Sequence, residues 1–274
     1  MIKGKLPYPF ETIALAVSFS PGLPLLISEM KRLSQLHSSQ SIFIHVGKKT
    51  GEKQRELAGL LSANGFHDGN SRIYWEQEDI LKSILRVCKH EVVDLLIAGA
   101  SDRENFNPPV GKMASSLAKQ AKCSVLIYKG FLSTKFSKIV VNGADHEKAE
   151  LTLLTSLYFA EKENISEIYI SEDNRTSEFE ESQSNYSNKT IDEPILSQAA
   201  INMTKVNVIV FSLAKESCST LSEYAFKNKT DLIITLSSDH HLLIFDRISS
   251  SDGIDNLLTD LSCSLLIVHS RLPE

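Results

Sequence analysis

Hydrophobic residues fall along this chain in short unbroken runs, separated by stretches in which they recur at helical spacing. In the first half the runs are TIALAV (12–17), SIFIHV (41–46), SRIYW (71–75), VVDLLIAG (92–99) and CSVLIY (123–128). They are rich in β-branched and aromatic residues and lack polar alternation, which predicts parallel strands covered on both faces. Between them, GLPLLISEMKRLSQLH places Leu25, Leu26, Met30, Leu33 and Leu36 on one stripe. EDILKSILRVCKH does the same with Ile80, Leu81, Ile84, Leu85 and Cys88. Strand and helix alternate, so the pattern predicts βαβ units and a parallel sheet.

The second half repeats this order. Ile13 in ETIALAV recurs as Ile139 in SKIVVNG, and Ile42 in SIFIHV as Ile168 in EIYISE, both at an offset of 126 residues. Asp94 in VDLLIA recurs as Asp231 in TDLIIT at 137, and Cys123 in CSVLIY as Cys263 in CSLLIV at 140. An offset that grows only between elements is the mark of an internal duplication with loop insertions. The expected division is residues 1–131 and 132–274, joined by the short KGFLSTKFS. A polar insertion around 171–194, SEDNRTSEFEESQSNYSNKTIDEP, is nearly devoid of aliphatic residues and reads as a surface loop, with a docking segment as the alternative.

Composition narrows the function classes. Of 274 residues, 42% are hydrophobic and 23% charged, enough for packed cores. The net charge of −5 argues against general nucleic-acid or anionic-membrane binding, which call for a basic excess. No apolar run approaches the roughly 18 residues needed to span a bilayer, and the N-terminus reads as no signal peptide. Cys88, Cys123, Cys218 and Cys263 form no C-x-x-C pair, so free thiols and a cytoplasmic location are expected.

The candidate chemistry lies after the fourth run, in GASDRENFNPPVGKMASS (99–116). A glycine closing a buried strand, a loop, and a glycine opening a helix form a phosphate-holding pattern, yet Asp102 and Glu104 sit inside it. With the strand order and the entries AKCSVLIY and LSCSLLIV, this pattern resembles the universal stress protein family, in two tandem copies spanning nearly the whole chain. The resemblance implies an α/β chain of two tandem five-stranded parallel open-sheet domains, adenine nucleotide α-hydrolase-like, packed as a pseudo-dimer through their last strands. It also implies that Cys123 and Cys263 stand at opposite ends of that seam, unbridged.

In the ATP-binding branch of the family, an Asp follows the first strand and a Gly-x2-Gly-x9-Gly-(Ser/Thr) loop holds ribose and phosphates. Here Ser18 stands at the Asp position, Gly99 matches the first glycine, and Asp102 replaces the second. Gly111 arrives one residue early, and Lys112 replaces the Ser/Thr. A carboxylate at the second glycine adds bulk and like charge toward a phosphate, which Arg103 and Lys112 partly offset. The cofactor expected is therefore ATP, bound weakly by the first copy, with Ser18, Val46, Gly99, Gly111, Lys112 and Ser115 lining the site. The second copy has Leu236 and Asp239 at the glycine positions, Gly253 too late, and Ala144 beside Asp145 after its first strand.

Other constellations read as structural. His240 and His241 with Asp239 lack a third metal ligand at suitable spacing. His45 ends a core strand and reads as a packed, hydrogen-bonded histidine; Trp75 reads as a packing anchor. Ser18 and Ser20 have no nucleophile elbow around them. The expectation is thus a non-catalytic stress-response regulator with a degenerate nucleotide site. The alternative is a protein-interaction module that has lost nucleotide binding, with 171–194 as its docking segment. Partners are an adenine nucleotide and an unidentified protein, not nucleic acid or membrane, with homo-oligomerisation left open.

Overall fold

The computed structural model describes residues 8–67, 69–100, 112–129, 135–142, 149–173, 187–188, 206–213, 218–237, 258 and 261–269. The chain divides into two compact units, Met1–Lys129 with His269–Glu274, and Gly130–Val268.

The first unit runs β1 (Thr12–Val17), α1 (Leu23–His37), β2 (Gln40–Val46), α2 (Gly51–Ala63), β3 (Ser71–Glu76), α3 (Ile80–His90), β4 (Leu95–Gly99), α4 (Lys112–Gln120) and β5 (Ser124–Tyr128). Its strands are ordered β3-β2-β1-β4-β5 and all pair in parallel. Right-handed crossovers send α1 and α2 to one face and α3 and α4 to the other; accordingly α1 packs beside α2 and α3 beside α4. The helices start where local chemistry allows. Thr50 caps α2 by accepting from the Lys53 amide, and Asp79 caps α3 by accepting from the Lys82 amide at 2.8 Å.

The second unit runs β6 (Ile139–Asn142), α5 (Ala149–Glu163), β7 (Glu167–Asp173), β8 (Ser187–Asn188), β9 (Asn207–Leu213), α6 (Cys218–Lys227), β10 (Leu232–Ser237) and β11 (Ser264–His269). Its order is β11-β10-β6-β7-β9-β8, in which β10, β6, β7 and β9 pair in parallel and β8 joins β9 antiparallel. The strands between β11 and β9 thus follow the same permutation as β5 to β3.

One acidic residue pins the amino edge of each sheet. The Thr12 amide donates to the Asp94 carboxylate at 2.8 Å, the Asp94 amide donates to the Thr12 carbonyl, and the Ser124 amide donates to the Asp94 carbonyl. In the second unit the Ser137 and Lys138 amides each donate to the Asp231 carboxylate at 2.9 Å, and the Ser264 amide donates to the Asp231 carbonyl. These amides begin a strand and have no partner within it, so a carboxylate is a strong acceptor for them.

The amphipathic stripes hold at Leu26, Met30, Leu33, Ile84 and Cys88, which are buried, and differ from the sequence expectation at Leu25 and Ile80. On α1 the buried residues include Leu23, Leu26, Ile27, Met30 and Leu33, while Leu25 is 48% exposed; Ile80, at the start of α3, is likewise 48% exposed. Leucine content alone does not fix which arc faces the sheet, and a helix's first residue overhangs it. The strand β3 is half open, with Ile73 41% exposed, because it is the sheet edge rather than an interior strand. The polar insertion starts later than expected, since β7 continues to Asp173, and its Ser187–Asn188 forms a strand. Cys88, Cys123 and Cys263 are free and buried. The hydrogen bond that the Cys88 thiol makes to Cys123, together with burial, holds that thiol well above its ordinary value.

Asp94→Ala is expected to lower stability by about 1–2 kcal/mol, the cost of orphaning a half-buried amide that had an ionised acceptor. Asp94→Asn, which keeps an acceptor oxygen, should lose less. Urea midpoints of the two variants check the order.

Candidate functional site

The strand order of the first unit reverses between β1 and β4, and open α/β sheets take ligands at the carboxyl ends flanking that reversal. Ser18, exposed, follows β1 directly, with its Oγ 3.3 Å from Ser20 Oγ. Val46 is the last residue of β2 and Gly99 the last of β4, both half-buried. Lys112 opens α4, and Ser115 is buried in that helix's first turn. Connectivity thus brings Ser18, Val46, Gly99 and the start of α4 to one edge. Gly111, Asp102, Arg103 and Glu104 lie outside the described residues, as do Ala144, Asp145, Asp239, His240, His241 and Gly253.

Gly99 has a packing explanation. A Cβ there would sit 2.8 Å from Leu26 Cδ1 of α1, closer than carbon atoms approach. Leu26 is itself buried at 6% exposure, so the helix lies against the strand end where glycine leaves room. A side chain at this position would have to displace the end of Leu26, so the α1–β4 contact favours glycine whether or not a phosphate binds beside it.

Beside this point, the carboxyl ends of β1, β2 and β3 carry an aromatic cluster. Phe19 and Trp75 lie 22° from parallel with centroids 6.3 Å apart. His45 meets both edge-on, at 4.8 Å from Phe19 and 5.1 Å from Trp75. Lys53 Nζ sits 5.2 Å from the Phe19 centroid, and Lys49 Nζ 5.8 Å from that of Trp75. His45 Nδ1 donates to the Val17 carbonyl at 3.1 Å, which fixes the neutral tautomer with a bare Nε2. That nitrogen is buried and has no hydrogen-bond partner among the described residues. It lies against Gly47, whose φ of +145° and lack of Cβ leave it room. Burial holds the His45 pKa below its usual 6.5; the bond to Val17 opposes the shift and the Lys53 charge adds to it.

Sequence reading took His45 and Trp75 singly, as a bonded core histidine and a packing anchor, and passed over Phe19, Lys49 and Lys53. The register of β1, β2 and β3 makes a cluster of them, since His45 pairs with both Val17 and Trp75. The available signal was that each aromatic residue falls within two positions of the end of its own strand. Among the described residues, no group of three His, Cys, Asp or Glu side chains is placed to hold a metal ion, and no helix is long and apolar enough to cross a membrane.

This arrangement defines a doubly wound α/β protein, with the aromatic cluster at the carboxyl ends of its strands. Neither a family model nor a curated protein matches the sequence. The solved structures do give a match to the fold, and it is that of the universal stress proteins. A universal stress protein from Archaeoglobus fulgidus DSM 4304 is similar over 97% of this chain and 98% of its own, at TM-score 0.68 and 14% identity. A putative universal stress protein from Pseudomonas aeruginosa UCBPP-PA14 covers 96% and 94%, at 0.67 and 11%. A protein of unknown function from Pseudomonas aeruginosa PAO1 covers the same shares, at 0.67 and 10%.

Gly99→Ala should destabilise the chain by about 1–3 kcal/mol through overpacking against Leu26. Pairing it with Leu26→Ala should cost less than the two single losses added, as a double-mutant cycle of urea midpoints would show. Because folded His45 resists protonation while the unfolded chain takes up the proton near pH 6.5, its contribution to stability is full above that pH and declines as pH falls below it. His45→Gln is expected to flatten the difference in urea midpoint between about pH 7.5 and 5.5.

Proposed function

We propose that this chain is a non-catalytic, cytoplasmic stress-response regulator of the universal stress protein type. In this reading it is built from two tandem copies, residues 1–131 and 132–274, paired as a pseudo-dimer, and its first copy keeps a degenerate adenine-nucleotide site. The similarity in fold over 96–97% of the chain carries the reading. The shared strand permutation of the two units supports the duplication, as do Asp94 and Asp231, which accept the same class of strand-opening amides.

Weak binding is what the edge chemistry supports. Ser18 offers a neutral hydroxyl where a carboxylate would accept strongly from the adenine amino group. Asp102 stands in the sequence where the resembled loop has its second glycine, and a carboxylate 4 Å from a phosphate costs about 1 kcal/mol or more in water. On the favourable side, Lys49 and Lys53 stand at the same sheet edge, and Phe19 and Trp75 bring aromatic surface to it. The amino end of α4, opened by Lys112, suits an anion.

The second reading, an interaction module that has lost nucleotide binding, draws on the insertion. Ser187 and Asn188 there pair with Val210 and Ile209, so part of this polar segment is anchored to the sheet.

Isothermal titration with ATP and Mg²⁺ is expected to give a Kd of about 0.1–1 mM, or roughly −4 to −5.5 kcal/mol, with no phosphate released on incubation. Absence of heat across that range would remove the nucleotide site and leave the interaction module; steady phosphate release would overturn the non-catalytic assignment.

A further inference from the structure

The outer edges of the two units differ in one respect that the nucleotide reading does not use. In the second unit, β9 is covered by β8, which pairs with it antiparallel. In the first unit, β3 occupies the corresponding place and pairs, among the described strands, only with β2. Sheet edges are ordinarily guarded by proline, an edge lysine, a bulge or shortness. The strand β3, SRIYWE, has six residues in unbroken register with β2 and no proline or lysine.

Its hydrogen-bonding groups can be assigned to a side. The Gly47 amide donates to the Glu76 carbonyl at 2.7 Å, so Glu76 turns its backbone polar groups toward β2. Alternation along a strand gives Tyr74 and Arg72 the same direction and turns those of Ile73 and Trp75 outward. Among the described residues, Ile73 is one of the few large apolar side chains left exposed, at 41%.

We propose that β3 is a homodimerisation edge, pairing antiparallel with β3 of a second copy about a two-fold axis at Tyr74. This register is self-complementary. Ile73 faces Trp75 of the other copy, and the two outward residues exchange four backbone hydrogen bonds across the seam. Arg72 faces Glu76 of the other copy, twice, on the sheet face where Arg72 already meets Glu91 and Glu76 meets Arg86. Opposite charges directly across an antiparallel pair favour it, as does an aromatic residue opposite a β-branched one. Charge complementarity of a strand with its own reversed copy is what selects a second copy as the occupant.

Sedimentation velocity of the full chain, from low to hundreds of micromolar, tests the proposal. The expected result is a reversible monomer–dimer equilibrium. Ile73→Pro removes an outward donor without touching the β2 pairing and should weaken the dimer by about tenfold or more. Arg72→Glu and Glu76→Arg should each abolish self-association by setting like charges opposite one another, while an equimolar mixture of the two should restore a dimer. Circular dichroism and urea midpoints show whether each variant is folded, and the mixture reads out pairing even where one charge change costs stability. A monomeric wild type, whether the edge stays bare or takes a strand of some other protein, overturns the proposal. So does a dimer that Ile73→Pro leaves intact, or a mixture that stays monomeric.

Discussion

The carboxylate of Asp94, and its counterpart Asp231, joins the strands on either side of its own at the amino end of each unit. A parallel strand that starts beside a neighbour has backbone amides with nothing ahead of them in the ladder. One acidic side chain takes up those donors while its own amide and carbonyl tie in the adjoining strands. From β1 outward, unbroken parallel registers through β2 and β3 carry the opposite ends of the strands at a constant stagger. That stagger, rather than any one side chain at the carboxyl edge, decides which residues meet there.

The division of labour explains why the sequence disclosed the scaffold so much more readily than the site. Runs such as TIALAV and SIFIHV announce buried strands by themselves, and the recurrence of Asp94 as Asp231 was visible as spacing before its carboxylate had a role. Helix orientation was less legible. The leucines of α1 run around more than one arc, and only the sheet determined that Leu23 and Ile27 would be inside and Leu25 outside. The edge position of β3 was invisible too, because an apolar run reads the same whether one or both of its flanks are paired. The strand β8 had no signal at all: two polar residues inside an acidic, serine-rich stretch carry no strand propensity, and their pairing is imposed by β9.

At the carboxyl edge the same limit applies in a sharper form. Phe19, His45 and Trp75 are separated by 26 and 30 residues, and no local pattern links them. Parallel pairing places them together, where two rings lie nearly parallel and the imidazole stands edge-on to both. The histidine that looked like an ordinary core residue is one, in that its Nδ1 is bonded to the Val17 carbonyl. Its other nitrogen is held dry against Gly47, a combination that depends on a backbone angle no sequence rule supplies.

The contact between Gly99 and Leu26 has a historical implication. Once a helix has settled into the space that a glycine leaves, that glycine is held in place by selection on folding, even after any selection on ligand contact has relaxed. Such a position behaves like a ratchet: the small residue persists while its neighbours in the loop drift. A lineage could therefore keep the outward sign of a phosphate loop even where the loop has changed trade, and the glycine's survival would record the neighbouring helix rather than a ligand.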